Sequence, residues 1–147
     1  MRVTTKGRYA LRALTKLALH EGDRPVPIKR IAEEEDLSPE FLEQIFFRLK
    51  KADIIRSVRG PGGGFMLNQI PSDITAKDIF EAVGEGIELT PCTADDEDCD
   101  RREDCVVTDV WQDASEYIVS YFAGLTLQHI LDRHQKKAPK AHEAVNA

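Results

Sequence analysis

The residues of this chain best suited to chemistry are its three cysteines, Cys92, Cys99 and Cys105, which lie close together in the sequence. Seven acidic residues and two arginines separate them, so the thiols have no apolar neighbours to pack against. Clustered thiols in a polar segment can bind a soft metal ion or an iron–sulfur cluster. We therefore predict a metal-binding loop that is disordered without its metal. The alternatives are three solvent-facing thiols, or one disulfide with a spare thiol.

Charge is unevenly distributed along the 147 residues of the chain, whose net charge is −6. Residues 1–59 hold 13 Lys and Arg against 9 Asp and Glu, whereas residues 60–147 hold 7 against 17. A basic amino-terminal part can approach a polyanion such as DNA while the acidic remainder faces away. The first 20 residues contain no acid, and their cations are Arg2, Lys6, Arg8, Arg12 and Lys16.

No apolar run approaches the ~18 residues that a membrane-spanning helix needs, and the amino terminus lacks the apolar region of a signal peptide. We therefore expect a cytoplasmic protein with no membrane partner. In that reducing compartment, clustered cysteines favour a metal site or a redox switch over a structural disulfide.

The period of the apolar residues predicts three helices in the amino-terminal part. The first helix is capped by Thr4 or Thr5, and a short second helix ends near Asp36. Ser38 followed by Pro39 is a cap with a first-turn proline, which opens the third helix. The predicted core residues are Ala10, Ala13, Leu14, Leu17 and Ala18 in the first helix, Ile28, Ile31 and Ala32 in the second, and Phe41, Leu42, Ile45 and Leu49 in the third.

The second and third helices, separated by a tight turn, are typical of a helix-turn-helix that lays its second helix in the DNA major groove. Gln44 suits the adenine edge, Glu43 can accept from cytosine N4, and Phe47 can touch a thymine methyl group. An ordinary solvated face is the alternative interpretation. The polar face opposite the core stripe carries Glu40, Glu43, Gln44, Phe47, Arg48 and Lys51.

A hairpin wing is predicted after the third helix, with one strand at residues 54–59 and the other at residues 65–67. The connecting loop contains four glycines, so its backbone at Gly60 and Gly62 can approach phosphates while Arg56 and Arg59 supply charge. A phosphate-binding nucleotide loop is disfavoured, because no Lys-Ser or Lys-Thr pair follows the glycines.

The carboxyl-terminal half predicts a short helix capped by Thr75 and Asp78, then a long helix that starts near Cys105 and ends at Gly124. A last helix is capped by Thr126. We predict a winged helix-turn-helix domain at residues 1–84, a cluster-binding loop at 85–105, dimerisation helices at 106–134 and a disordered tail at 135–147. The dimer seam, with spacings of four and three residues, consists of Val107, Trp111, Ala114, Ile118, Tyr121 and Leu125.

The segments 1–10, 42–44 and 58–65, with three cysteines before a dimer helix, resemble IscR-type iron–sulfur regulators of the Rrf superfamily. The resemblance implies a mainly α winged-helix homodimer that binds an inverted-repeat operator in double-stranded DNA. It also implies a switch by an iron–sulfur cluster, for which we favour the 2Fe-2S over the 4Fe-4S type. By matching motif, Ser38, Glu43, Gln44 and Arg59 inherit DNA contacts, and Cys92, Cys99 and Cys105 inherit cluster ligation.

The IscR-type regulators that the chain resembles place a histidine three residues after the last cysteine, where this chain has Thr108. Asp109, which lies one turn beyond Cys105, offers an anionic oxygen and is our predicted fourth ligand. Glu103, Asp104 or a residue of a partner chain are the alternatives. Glu40 stands where these relatives have serine, which predicts a different operator sequence.

We predict a regulator, acting as a repressor, that senses iron–sulfur, redox or nitric-oxide status and is not an enzyme. The alternative is a cluster-free thiol-redox or zinc regulator of the same fold. An iron–sulfur enzyme or electron carrier is disfavoured, because the four histidines are dispersed along the chain.

Overall fold

A computed structural model describes residues 3–20, 22, 24–93 and 99–138 of the chain. The predictions for Arg2, for the acidic residues 95–98 and for tail residues 139–147 lie outside this described part. The fold confirms the predicted mainly α architecture with a two-stranded wing. The helices are α1 Thr5–His20, α2 Ile28–Glu35, α3 Pro39–Lys51, α4 Ala76–Ala82, α5 Val106–Gly124 and α6 Leu127–Lys137, and the strands are β1 Ile55–Val58 and β2 Gly64–Leu67.

The core forms where the apolar faces of α1, α2 and α3 meet, as their periodicity predicted. Phe46 of α3 is also fully buried, although the sequence interpretation did not assign it to the core. Its ring meets Phe65 of β2 edge to face, with the centroids 5.0 Å apart, and so joins α3 to the wing. The predicted core residues that are buried are Ala10, Ala13, Leu14, Leu17, Ile31, Ala32, Leu42, Ile45 and Leu49, whereas Ala18, Ile28 and Phe41 are half-buried.

Three helix starts are capped as predicted. Ser38, Thr75 and Thr126 each accept a backbone hydrogen bond at the start of α3, α4 and α6. Asp78 completes a capping box with Thr75, and His129 completes one with Thr126. Such boxes satisfy two backbone N–H groups that the helix itself leaves unpaired.

The start of α1 differs from the prediction. The carboxylate of Glu85, just beyond α4, accepts hydrogen bonds from the N–H of Thr4 at 2.9 Å, from the N–H of Gly7 at 3.0 Å and from the Thr4 hydroxyl. Thr4 thus stands at the predicted cap position, and its carbonyl accepts from the Arg8 N–H at 3.2 Å, but the side-chain acceptor for this helix start comes from Glu85, distant in the sequence.

The wing is a pair of antiparallel strands in which Ile55 lies opposite Leu67. Val26 and Phe65 exchange backbone hydrogen bonds of 3.0 and 2.9 Å, which tie the hairpin to the segment before α2. The wing is thus held both by its own ladder and by the chain that leads into the helix-turn-helix.

The last helix, α6, packs into the same core as α1. Leu127 is fully buried there, and its N–H donates to the carbonyl of Ile74 at 2.7 Å, just before α4. The helix continues through Lys137, so residues 135–137 are helical and not part of a tail. Although the predicted division groups α6 with the dimerisation helices, it is built into the amino-terminal domain.

We expect Leu127→Ala to destabilise the whole fold by about 2–5 kcal/mol, because truncating a fully buried leucine removes apolar contacts and leaves a cavity. Urea denaturation followed by circular dichroism measures the change. Ile70→Ala is the control, since Ile70 is 61% exposed and its truncation should cost little. Equal stabilities of the Leu127 variant and the parent would contradict the integration of α6 into this core.

Candidate DNA interface and cysteine segment

The exposed face of α3 carries every residue of that helix predicted to face DNA. Phe47 is 68% exposed, although the opposite side of the same helix is fully buried. An amide, carboxylates, an aromatic ring and two cations are therefore presented together, which matches the donors, acceptors and apolar contacts that base edges offer. A surface groove runs along this face of α3. The α3 residues that border the groove are Glu40, Glu43, Gln44, Phe47, Arg48 and Lys51.

Ser38 and Glu40 are joined at the start of α3. The Ser38 hydroxyl donates to Glu40 Oε2 at 2.8 Å while accepting from the Phe41 N–H at 3.4 Å. The backbone N–H of Glu40 and then the Ser38 hydroxyl lower the pKa of Glu40. The carboxylate is therefore ionised at neutral pH, and the hydroxyl proton of Ser38 is already engaged.

The wing presents Arg59, Gly60 and Gly62, all exposed. The two glycines have φ angles of 98° and 73°, a region that other residues rarely adopt. Arg56 Nη2 lies 3.4 Å from the sulfur of its cross-strand neighbour Met66, so this arginine is partly engaged within the wing. Arg59 is exposed and follows directly after the strand end at Val58.

Two of the α1 cations that were predicted to approach a polyanion form ion pairs with α2. Arg12 pairs with Glu35 at 3.0 Å, and Lys16 pairs with the same carboxylate at 3.4 Å. Glu34 binds His20, and hydrogen bonds from His20 and then Arg30 lower the pKa of Glu34. These ion pairs join α1 to α2 and leave less positive charge on α1 for a partner than the sequence indicated.

The cysteine segment begins after residues 85–90, which have no regular structure, and passes through a short 3-10 turn at Pro91–Thr93. Cys92 lies in this turn, with its sulfur 2.9 Å from the hydroxyl oxygen of Thr90. Cys99 is exposed, and Cys105 occupies the position just before α5. The structure therefore sets two of the predicted ligands at the two ends of the segment.

Cys105 lies where the first turn of α5 can stabilise a thiolate. The Thr108 hydroxyl and then the N–H groups of Val107 and Thr108 lower the pKa of the thiol, and the Thr108 N–H donates to the Cys105 carbonyl at 3.1 Å. Thr108 is only 9% exposed. Thr108 therefore supports Cys105, a role that the sequence interpretation missed.

The donor chemistry of the segment fits an iron–sulfur cluster, because thiolates are the usual cluster ligands. Within residues 3–93 and 99–138, with their gaps, no group of three or more His, Cys, Asp or Glu side chains is gathered for a metal. Asp109 is exposed on the first turn of α5 and stays a predicted ligand. The ligands would therefore have to converge on binding.

The long helix α5 exposes three of its six predicted seam residues, and the other three, Ala114, Ile118 and Leu125, are half-buried. Val107 is 48% exposed, Trp111 40% and Tyr121 54%, whereas Phe122 packs edge to face on Phe80 of α4 at 5.0 Å. Phe122 thus packs α5 against α4 of its own domain. Among the described helices, none is long and apolar enough to cross a membrane.

A short helix pair with an exposed polar second helix, flanked by a glycine-rich hairpin, defines a winged helix-turn-helix DNA-binding transcription regulator. The chain belongs to the Rrf2 family, described as iron-dependent transcriptional regulators, whose family model matches residues 3–133. This membership confirms the family predicted from the sequence.

Relatives of the chain carry names that agree with this class. The chain is 34% identical to the HTH-type transcriptional regulator IscR of Photorhabdus laumondii subsp. laumondii, over 99% of this chain and 97% of the relative. It is 40% identical to the IscR of Yersinia enterocolitica, over 90% of this chain and 80% of the relative. These names are those of regulators, which confirms the prediction that the chain is not an enzyme.

Solved structures show the same fold. The IscR of T. potens superposes with a TM-score of 0.78 at 33% identity, covering 95% of this chain and 93% of that one. CymR (YrzC), the global cysteine regulator of B. subtilis, superposes with a TM-score of 0.74 at 30% identity, covering 90% and 98%. Both neighbours support the winged-helix architecture.

We expect Arg59→Ala to weaken operator binding by about 1–3 kcal/mol and to make the salt dependence shallower, because one phosphate or minor-groove contact is lost. Fluorescence anisotropy measures both quantities, with a duplex first selected by the parent protein from a randomised DNA pool. Lys137→Ala, which removes an exposed cation from α6, is the control.

Unchanged affinity and salt slope for Arg59→Ala would show that the wing does not touch DNA.

Gln44→Ala should act differently, by relaxing the preference at one base pair in each half-site.

Proposed function

We propose that the chain is a cytoplasmic, homodimeric regulator that binds an inverted-repeat operator, with an iron–sulfur cluster on Cys92, Cys99 and Cys105 controlling the binding. The observation that carries this proposal is the position of Cys105. It is both the end of the cysteine segment and the residue from which the exposed apolar helix α5 begins. A structural change at the cysteines would therefore act directly on the start of α5, the helix that we assign to dimerisation.

The proposed DNA complex places α3 in the major groove and the wing along the adjacent backbone. Gln44, Glu43 and Phe47 would read base edges, and Ser38, Arg48 and Arg56 would border the contact. Glu40 would select against sequences that bring a phosphate or a base acceptor near its carboxylate, because no donor remains on Ser38 to offset the repulsion. Arg59, Gly60 and Gly62 would follow the phosphates.

The proposed dimer forms through α5. Its exposed apolar arc also includes Val106, Val110 and Tyr117, which are 83%, 58% and 80% exposed. A contiguous apolar surface of this kind on one helix is typical of a protein–protein interface. A two-fold arrangement would bring two copies of α3 to two half-sites, which mirrors the symmetry of an inverted repeat.

Ile118→Glu should convert the dimer into a monomer that remains folded, because a carboxylate in the centre of the apolar face cannot be buried without a partner. Operator affinity should fall steeply, since two half-sites are then bound without the advantage of a joined pair. Analytical ultracentrifugation measures the oligomeric state. Ala123→Glu, on the polar side of α5, is the control, and an Ile118 variant that still sediments as a dimer would exclude this interface.

The three cysteines would hold the cluster, with Asp109 as the fourth ligand. A bound cluster supplies a redox-active centre that oxygen and nitric oxide can attack. Cys105 is the best-prepared ligand, because Thr108 and the first turn of α5 already stabilise its thiolate. A carboxylate from Asp109 would hold iron less firmly than a fourth thiolate, which suits a sensor.

Anaerobic purification should yield a brown protein whose visible absorption is abolished in Cys99→Ala. Asp109→Ala should shorten the lifetime of the absorption in air, whereas Asp113→Ala, one turn further along α5, should not. If Asp109→Ala matches the parent while Cys99→Ala is bleached, the fourth ligand lies elsewhere. A colourless protein that contains zinc would support the second candidate, a cluster-free thiol or zinc regulator.

A further inference from the structure

Glu85 is the one charged residue that is buried among the described residues, at 8% exposure. Burying a carboxylate is costly unless hydrogen bonds replace its water. Here the donors are the backbone of Thr4 at 2.9 Å, the backbone of Gly7 at 3.0 Å and the Thr4 hydroxyl. Burial raises the pKa of Glu85, but these three hydrogen bonds and the nearby Lys6 outweigh it and leave the pKa below its usual range. The group is therefore an ionised carboxylate at neutral pH.

The carboxylate of Glu85 fits closely against α1 at Gly7. A Cβ atom at position 7 would lie only 2.8 Å from Glu85 Oε2, so glycine leaves the space that the carboxylate fills. The negative charge also lies at the positive end of the α1 dipole. Any displacement of Glu85 would leave the first turn of α1 without its acceptor.

Gly84, the residue before Glu85, lies next to Arg48 of the proposed DNA-binding face of α3. A Cβ atom at Gly84 would lie 3.1 Å from Arg48 Nη1, so the guanidinium of Arg48 packs against this point of the chain. Residues 84 and 85 therefore touch α3 and α1 at the same corner. The irregular segment that begins at Glu85 reaches Cys92 seven residues later.

We propose that Glu85 is a positioning residue for operator binding, which fixes the Gly84–Glu85 corner and thereby holds Arg48 in place on the DNA face. It acts through Arg48 and through the start of α1, without contacting DNA itself. This inference rests on the DNA-contact role proposed for Arg48, and it does not depend on the cluster.

The test uses full-length protein in the same metal and redox state in which the parent selected its operator duplex, and that duplex. Glu85→Gln keeps the shape of the side chain but turns an acceptor into a donor that faces the N–H groups. Gly7→Ala disturbs the same contact from α1 and leaves Glu85 intact. Each variant should bind the operator on the order of tenfold more weakly than the parent, within the range of coupled residues in contact. Glu88→Gln, on the same irregular segment and exposed, should bind like the parent.

A double-mutant cycle separates positioning from a general loss of stability. In the background of Arg48→Ala, Glu85→Gln should cost much less affinity than it costs in the parent. Measurement at a temperature where circular dichroism shows every variant folded removes the contribution of unfolding. Equal losses in both backgrounds would overturn the inference, as would parent-like binding by both Glu85→Gln and Gly7→Ala. If Arg48→Ala alone leaves affinity unchanged, the proposed DNA-contact role of Arg48 fails, and this inference fails with it.

Discussion

The burial of Phe46 is the constraint on which the DNA-binding half of the molecule depends. This side chain lies in the core that α1, α2 and α3 share, and its ring also meets Phe65 in the wing. Because packed interiors tolerate little change in volume, one ring sets both the depth of α3 and the distance of the hairpin from it. The two elements assigned to DNA contact are therefore positioned by the same apolar contact rather than by separate loops.

Short-range signals in the sequence predicted most of the fold. Caps at Ser38, Thr75 and Thr126, the apolar period and the glycine hairpin each act within a few residues, so the pattern alone identifies them. Phe46 also carried such a signal, since it lies four residues after Leu42 and three before Leu49. The capping of α1 by Glu85 carried none, because the two partners meet only through the tertiary fold.

Electrostatics shows the same division between local pattern and folded geometry. A run of cations on α1 indicated a surface for a polyanion, but Arg12 and Lys16 are paired with acids of α2. The sequence shows both members of each ion pair, but it does not show that the fold brings them close together. The candidate cysteine site is similar: the spacing identifies three thiols, whereas the effect of Thr108 on the pKa of the Cys105 thiol depends on where α5 begins. Pairing across elements is therefore the part of the site that required the structure.

Leu127 and Ile74 attach α6 to the DNA-binding domain, and Phe122 on Phe80 attaches α5 to it. In the proposed dimer, a small change in the angle at which two copies of α5 cross would not be absorbed by a flexible hinge at this point. It would instead move each α3 along the DNA axis and so change the distance between the two copies of α3. The molecule would then distinguish operators by the spacing of their half-sites as well as by their bases.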